Sequence, residues 1–495
     1  MKKRVFEIGF MLLGIVSICL LLATLVGVIF VDKKIENSFL NTVNYPNYIY
    51  YILGVLGTGV LSYFVNKKNI SNRLFYVIAA IVVLVVAIWE ANVVFWFPTV
   101  GSPGGDFQSA KDAAIGLASG LSFKDFPYFS ISANNANLAI FLSFIYRVVP
   151  SWLFVEFLGA LCTNLSVLFA SLTVKKYTEN NVCALLCLLF GEMLMAVTWR
   201  SFIVYTDNFG MLFVAVGLWI ISLEINEKVK IVLYTIAIAV ASYIKITCFL
   251  LFIAYIIYYS TTVFKDSVDI KKAIKKVSYM LACIILIWGS VTIAKEKLQD
   301  YYVLVKDENV KGWQYMFMVG QSTDYYGTVN IVDSELRRAY IEEYLSSEEV
   351  QKACLNTAIN RIVDRGIKGN IKFYICKLDY AYGDGYFHNV QSIYSEVDKD
   401  SIFGKIYLSD GKYYAIYANI VQYLWALILV TITIACVIQL RKGPDIMGFY
   451  QILFCGITVY LMCFEGRSKY IFMFLPVYMI FYGIGMKNTC SMIDK

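Results

Sequence analysis

A chain of 495 residues that is 59% hydrophobic and only 16% charged is too apolar for two or three soluble domains; hydrocarbon is the solvent its composition fits. The formal net charge of +7 could suggest a nucleic-acid or anionic-lipid partner. The basic residues, however, fall in short loops between apolar runs, which marks topology and not a nucleic-acid surface.

The chain opens on Met1, Lys2, Lys3 and Arg4 before an apolar run with no small-residue cleavage site, so this run is expected to stay as a first span. A bilayer core of roughly 30 Å takes about 20 apolar residues per helix, and about twelve such runs recur. They lie near residues 8–31, 48–65, 74–97, 151–174, 182–199, 207–223, 229–244, 246–264, 277–294, 415–440, 446–464 and 469–486. Placing the basic loops inside (Lys67 to Arg73, Lys175 with Lys176, Lys228 with Lys230, Lys265 to Lys276, Arg441 with Lys442, and the tail after Lys487) puts both termini in the cytoplasm.

The predicted fold class is therefore an all-α polytopic membrane protein. Its N-terminal spans (1–97) are followed by a first large outer loop (98–150), central spans (151–294), a small extracytoplasmic domain (295–414), and C-terminal spans with a tail (415–495). In the first outer loop, Ala110, Ala113, Ala114, Leu117 and Ala118 recur at helical spacing after a glycine-rich turn, which predicts a helix along the membrane surface. The run from Leu138 to Val149 is too short to span and is expected to be interfacial or re-entrant. The segment 295–414 has a helical stretch near Ser334 to Arg365. Twelve cysteines are scattered mostly through apolar runs and suit packing; only Cys354 and Cys376 fall in a polar segment, where a disulfide stays open.

Ionisable residues beside long apolar runs cost on the order of 2.5 to 3.5 kcal/mol each on insertion scales, so each requires a reason. Under the topology above, all map to the outer side. Asp106, in GGDFQSAKDAA, is either a helix N-cap or a general base for an attacking hydroxyl. Asp207, in RSFIVYTDNFG, has capping as its competing account, and Arg200 beside it is either a snorkelling interface residue or a further phosphate cation. Lys245, in ASYIKITCFLL, is a cation deep in apolar sequence and calls for a cavity or an anion; a simple loop between spans is the bland alternative. FEGRSKYIFMFLPVY brings Glu465, Arg467 and Lys469 between two apolar runs, where Arg suits bidentate phosphate contact and Lys a point charge; an ordinary polar turn would look similar. The lone His388, in DYAYGDGYFHNV beside Asp384, is more often a packed or surface residue than a ligand. With one histidine and no tight acidic cluster, neither a transition-metal site nor any cofactor is expected, while a divalent ion held by scattered carboxylates stays open.

An outer aspartate after the first spans, YTD ahead of another span, IK in a hairpin of short spans, and E-x-R-x-K-Y-x-x-x-x-x-P near the end occur here in that order. Together with GWQYMFMVGQSTDYYGTVN, they resemble the GT-C glycosyltransferases, closest to bacterial, Gram-positive-like members of the protein mannosyltransferase and aminoarabinose transferase type. The similarity runs from about residue 74 onward. It implies a GT-C-type bundle that moves a sugar, with inversion, from a polyprenyl-phosphate carrier to a cell-envelope acceptor (wall polysaccharide, teichoic acid or protein) outside the cytoplasmic membrane. Carried over, Asp106 is the catalytic aspartate and Asp207 the second acidic position. Lys245, Arg467 and Lys469 hold the lipid phosphate, and Glu465 orients Arg467. Trp313, Asp384 and His388 are candidate acceptor or cap contacts. Two departures stand out: Lys469 occupies a place usually taken by Arg, and extra spans precede the aspartate loop. The competing expectations are a flippase or transporter of a lipid-linked glycan, against which the lopsided layout argues, and a polysaccharide polymerase with an oligosaccharide diphosphate donor.

Overall fold

The computed structural model describes residues 2–30, 47–96, 105–194, 203–305, 311–343, 346–387, 398–408, 410–440 and 445–493, and among them it is helical with no strand. Apolar backbone in hydrocarbon must satisfy its polar groups within each segment, and the long runs of Leu, Ile, Val and Phe do so as helices. These are α1 (Lys2–Phe30), α2 (Asn47–Lys67), α3 (Asn72–Trp96), α4 (Gly105–Ala118), α5 (Ala136–Val148), α6 (Trp152–Thr178), α7 (Asn181–Met193), α8 (Thr206–Ser222) and α9 (Glu227–Ile244). Then come α10 (Leu250–Asp266), α11 (Ile270–Tyr301), α12 (Trp313–Gly320), α13 (Ile331–Glu343), α14 (Ser347–Tyr382), α15 (Tyr414–Gln439), α16 (Ile446–Cys463) and α17 (Leu475–Ile493).

Each of the expected spans coincides with one of these helices. Eight are long and apolar enough to cross a membrane: α1, α2, α3, α6, α10 with the turn before it, α11, α15 and α16. The other expected crossings are α7 and α8, which are shorter apolar helices, α9, whose first turn carries Glu227, Lys228 and Lys230, and α17. Burial separates centre from rim. In α15, 78% of the apolar window is buried and Trp425 is fully enclosed, whereas in α11 the share is 11% and Ile285 and Leu286 point outward. Such outward apolar side chains suit contact with lipid.

Side-chain caps start the helices at the end that carries the basic loops. Asn180 accepts from Val182 N at 2.9 Å, Asn226 from Lys228 N at 3.0 Å, Asp269 from Lys271 N at 2.8 Å and Asp445 from Met447 N at 2.8 Å. These loops also hold one another: Asn181 Nδ2 donates to Ile70 O at 2.7 Å, Lys175 lies 3.8 Å from the Tyr76 ring centroid, and Lys276 pairs with Glu227 at 2.8 Å. From Glu227 the 18 residues of α9 rise roughly 27 Å to the opposite end, where Lys245 stands.

The first large loop forms two helices where they were expected, α4 and α5, packed on each other, with Ala110, Ala113, Ala114 and Leu117 buried and Ala118 half-buried. Between α11 and α15 the helical stretch expected near 334–365 corresponds to α13 and α14, and the second continues to Tyr382. Gly366 bends α14 with φ 59°, a left-handed conformation that glycine adopts without a Cβ clash, and Asn370 Nδ2 donates to the carbonyls of Ile362 and Gly366 at 2.7 and 2.8 Å. Before the bend, α14 shares a small core of Tyr315, Met318, Val319, Cys354 and Ala358; beyond it, Leu378, Ala381 and Tyr382 join the main bundle core. Cys354 and Cys376 are both free thiols on this helix, one on each side of the bend, so the disulfide left open by the sequence does not form.

Candidate functional site

At Lys245 the helical path breaks. Its backbone is extended (φ −145°, ψ 113°) between α9 and a 3-10 turn at Ile246–Phe249. The side chain reaches Asp207, Nζ to Oδ1 2.5 Å, and the two side chains are only 15% and 6% exposed. The N-cap of α8 is Tyr205, not Asp207, so capping does not account for this aspartate; it is the partner of a nearly buried lysine. A cation and an anion so far from water hold each other against a large desolvation penalty, and removal of either exposes that penalty.

The loop between α16 and α17 gathers the second set of charges. Glu465 is buried, with Arg467 Nε at 3.6 Å and Lys469 Nζ at 3.7 Å from Oε1, while the Tyr470 hydroxyl donates to Oε2. Burial pushes the Glu465 carboxyl up, but Lys469, the Tyr470 hydrogen bond and Arg467 together outweigh it and hold the group below its ordinary value. Glu465 thus faces both Arg467 and Lys469. The Tyr470 ring lies between cations from two hairpins, 5.3 Å from Lys245 Nζ and 4.9 Å from Lys469 Nζ.

The GWQYMFMVGQSTDYYGTVN segment cradles this loop. Gln321 Nε2 donates to Met462 O and Cys463 O, each at 3.2 Å, Gly466 N donates to Gly327 O at 3.1 Å, and Arg467 Nη2 donates to Val329 O at 3.1 Å. Behind it, the buried ammonium of Lys377 donates to the carbonyls of Gly320, Met462 (3.1 Å) and Phe464 (2.6 Å). Burial pulls this lysine down to about 7. Ser468 Oγ donates to buried Asp384 at 2.7 Å, which ties the loop to the segment after α14.

Asp106 stands exposed in the first turn of α4, just after Gly105 with φ +53°. Its neighbours are phenols. Burial first, then the Asp106 carboxylate, raises the pKa of Tyr128; burial, Asp106, Tyr128 and Asp207 raise that of Tyr205, so both stay neutral hydrogen-bond donors. Tyr205 OH donates to Asn135 Oδ1 at 3.0 Å, Asn135 Nδ2 donates to the Tyr128 hydroxyl, and Phe107 meets the Tyr205 ring edge-on at 4.8 Å. Tyr205 thereby stands within electrostatic reach of both Asp106 and Asp207. Ion-pair, hydrogen-bond and ring contacts join Asp207, Lys245, Tyr470, Glu465, Arg467 and Lys469, and Asp106 stands apart from them within electrostatic reach of Tyr205.

Arg200 and His388 lie outside the described residues. Trp313 is 57% exposed at the start of α12. The reading of single residues passed over Tyr128, Asn135, Tyr205, Tyr470 and Lys377. For Tyr205 and Tyr470 the signal was adjacency to YTD and to Lys469, and for Lys377 it was a lone lysine in FYICKLDYAY. Among the described residues no three His, Cys, Asp or Glu side chains gather in a metal-binding group.

Apolar helices of spanning length around a buried helical core define an integral membrane protein. Residues 2–490 match the family described as conserved hypothetical integral membrane protein, and the chain belongs to that family. No curated protein and no solved structure matches it.

Proposed function

We propose that the protein transfers a sugar, with inversion, from a polyprenyl-phosphate carrier to a cell-envelope acceptor such as a wall polysaccharide, a teichoic acid or a protein. The observation that carries this reading is that Tyr205 lies within electrostatic reach of both Asp106 and Asp207, Asp207 pairs with Lys245, and the Tyr470 ring meets both Lys245 and Lys469, with Arg467 beside Glu465. They meet at the end of the bundle opposite the basic loops, which by the positive-inside trend is the outer face of the cytoplasmic membrane.

In the reaction, an acceptor hydroxyl oxygen bonds to the anomeric carbon as the bond from that carbon to the carrier phosphate oxygen breaks. Asp106 accepts the hydroxyl proton, and the departing phosphate takes the bonding electrons. Arg467 and Lys469, partly exposed at 24% and 33%, are the cations that can meet the growing phosphate charge, steadied from behind by Glu465. Lys245 is shared with Asp207, so its part is to bridge that carboxylate and the phosphate through its three N–H groups. The prenyl chain stays in lipid, which suits a site at the bundle's edge.

Membranes supplied with labelled polyprenyl-phosphate sugar test the proposal. Asp106→Asn should abolish transfer with expression and insertion unchanged. Transfer equal to wild type in that variant, or in membranes from a deletion strain, sinks the reading.

A further inference from the structure

The helix α14 carries apolar side chains outward over the stretch that leaves the bundle. Ile359, Val363, Ile367 and Ile371 recur every fourth residue and are 45%, 69%, 82% and 57% exposed. About 200° round the helix from the first two of them, Arg361 and Arg365 point inward beside the small core of Cys354 and Ala358. Arg361 donates to Met318 O at 2.8 Å and to Asp333 Oδ1 at 2.5 Å, and Arg365 donates to Gln321 O and Gln321 Oε1, each at 2.8 Å. A helix at a water surface turns its apolar stripe to the core and its charges out. Here two arginines are held inside, and four branched apolar residues are left uncovered.

What covers the stripe follows from where α14 enters the bundle. Beyond the bend at Gly366 it runs against α1: a Cβ on Gly27 would lie 2.5 Å from Ile375 O and 3.4 Å from Asp379 N, so the two backbones touch. Gly27 is three residues, about 5 Å, short of the end of α1, at the bundle end opposite the basic N-terminus. Ile371 is one turn before Ile375, about 6 Å back along α14, and so comes level with Phe30, the last residue of α1. The last turns of α1, a helix of spanning length, expose Leu22, Val26 and Phe30. The stripe on α14 therefore begins at the height where a lipid-facing rim ends. Lys368 and Lys372, both exposed, alternate with it, and Asp364 is the one acid between residues 359 and 372. An apolar face bordered by lysines suits a helix seated at the boundary between acyl chains and headgroups.

We propose that residues 359–371 of α14 are an interfacial segment seated in the lipid leaflet at the bundle end opposite the basic loops. Ile359, Val363, Ile367 and Ile371 lie among the upper acyl chains, and Lys368 and Lys372 reach the lipid phosphates. Through Arg361 and Arg365 this seat sets the height of α12 and the residues after it over the bundle. The proposal draws on the membrane character of the chain alone and does not depend on the transferase reading.

A photo-crosslinking residue, p-benzoylphenylalanine, in place of Ile367 tests it. The full chain is irradiated in proteoliposomes of phosphatidylcholine and phosphatidylglycerol and its adducts are weighed by mass spectrometry, with the same residue in place of Val26 as the lipid-facing reference. The expected result is a phospholipid adduct at position 367, in a yield within about twofold of that at position 26. Position 363 carries the same test if the first variant does not insert. A crosslink from 367 to a second copy of the chain, or no lipid adduct at 367 where 26 gives one, overturns the proposal. A carboxylate among acyl chains is costly, whereas on a water surface it is nearly neutral. Ile367→Asp combined with Ile371→Asp should therefore speed hydrogen exchange of residues 313–320 at least about tenfold in the same vesicles, and the paired Leu substitutions should leave it unchanged. Exchange unaltered by the two aspartates also overturns the proposal.

Discussion

Replacing Lys245 by Met leaves the Asp207 carboxylate almost out of water with its counter-charge gone. The pair is 2.5 Å apart with side chains 15% and 6% exposed, which places it among buried ion pairs, where loss of one partner costs about 3–5 kcal/mol. Residual solvent at Lys245 argues for the lower end, about 3 kcal/mol. Asp207→Leu should cost a similar amount by stranding the ammonium. The double variant removes both charges and should sit within about 1 kcal/mol of wild type, because apolar side chains of comparable volume often replace a buried pair without loss. The resulting coupling energy is about 5–7 kcal/mol in magnitude, two single losses of about 3 each against a double change within about 1, far above the few tenths expected of independent sites. Reversible unfolding in mixed micelles titrated with SDS measures all four proteins on one scale. Additive single effects, with coupling below about 0.5 kcal/mol, would refute the claim that these residues form a closed pair.

Two further outcomes follow from how the small domain is fastened. Lys377 falls from its ordinary 10.5 to about 7 when docked, so the docked state binds fewer protons than an opened one between those values. The penalty for burying its charge is complete below pH 7 and is relieved as pH rises, so docking strengthens from about pH 7 to 10.5 at up to about 1.4 kcal/mol per pH unit. Hydrogen exchange of residues 313–320, corrected for intrinsic rates, should show this slope in wild type and lose it in Lys377→Met; a slope of opposite sign disproves it. Gly320→Ala puts a Cβ 2.3 Å from Cys463 O and 2.7 Å from Phe464 C, both backbone atoms that cannot rotate aside. It should destabilise by about 1–3 kcal/mol and speed exchange over 462–467 about tenfold, whereas Gly289→Ala, with nothing within 4 Å, should leave exchange unchanged. Equal behaviour of the two glycine variants would disprove the close approach.

The spans were legible because each is a local property: a helix in hydrocarbon satisfies its own backbone, so length and apolarity in one window decide it. The helices α4 and α5 were legible for the same reason, through alanine spacing and a run too short to cross. Where a window left two accounts open, the deciding contact was distant. Asp207 could be a helix cap or a functional acid within its own window, and its ion-pair partner, Lys245, is 38 residues further on. The bend of α14 at Gly366 likewise divides a part packed with α12 from a part in the bundle core, contacts that no local window holds.

By itself the sequence determined that this is a multi-helix membrane protein, where its long apolar runs lie, and that ionisable groups such as Asp207, Lys245 and Glu465 needed a partner, since transfer free energies act residue by residue. Only the tertiary structure decided which partner each received: Asp207 for Lys245, Tyr470 for Glu465 and three carbonyls for Lys377. Pairing of buried charge depends on distances of a few ångströms between helices remote in the chain, and those are set by how side chains interdigitate across the whole bundle.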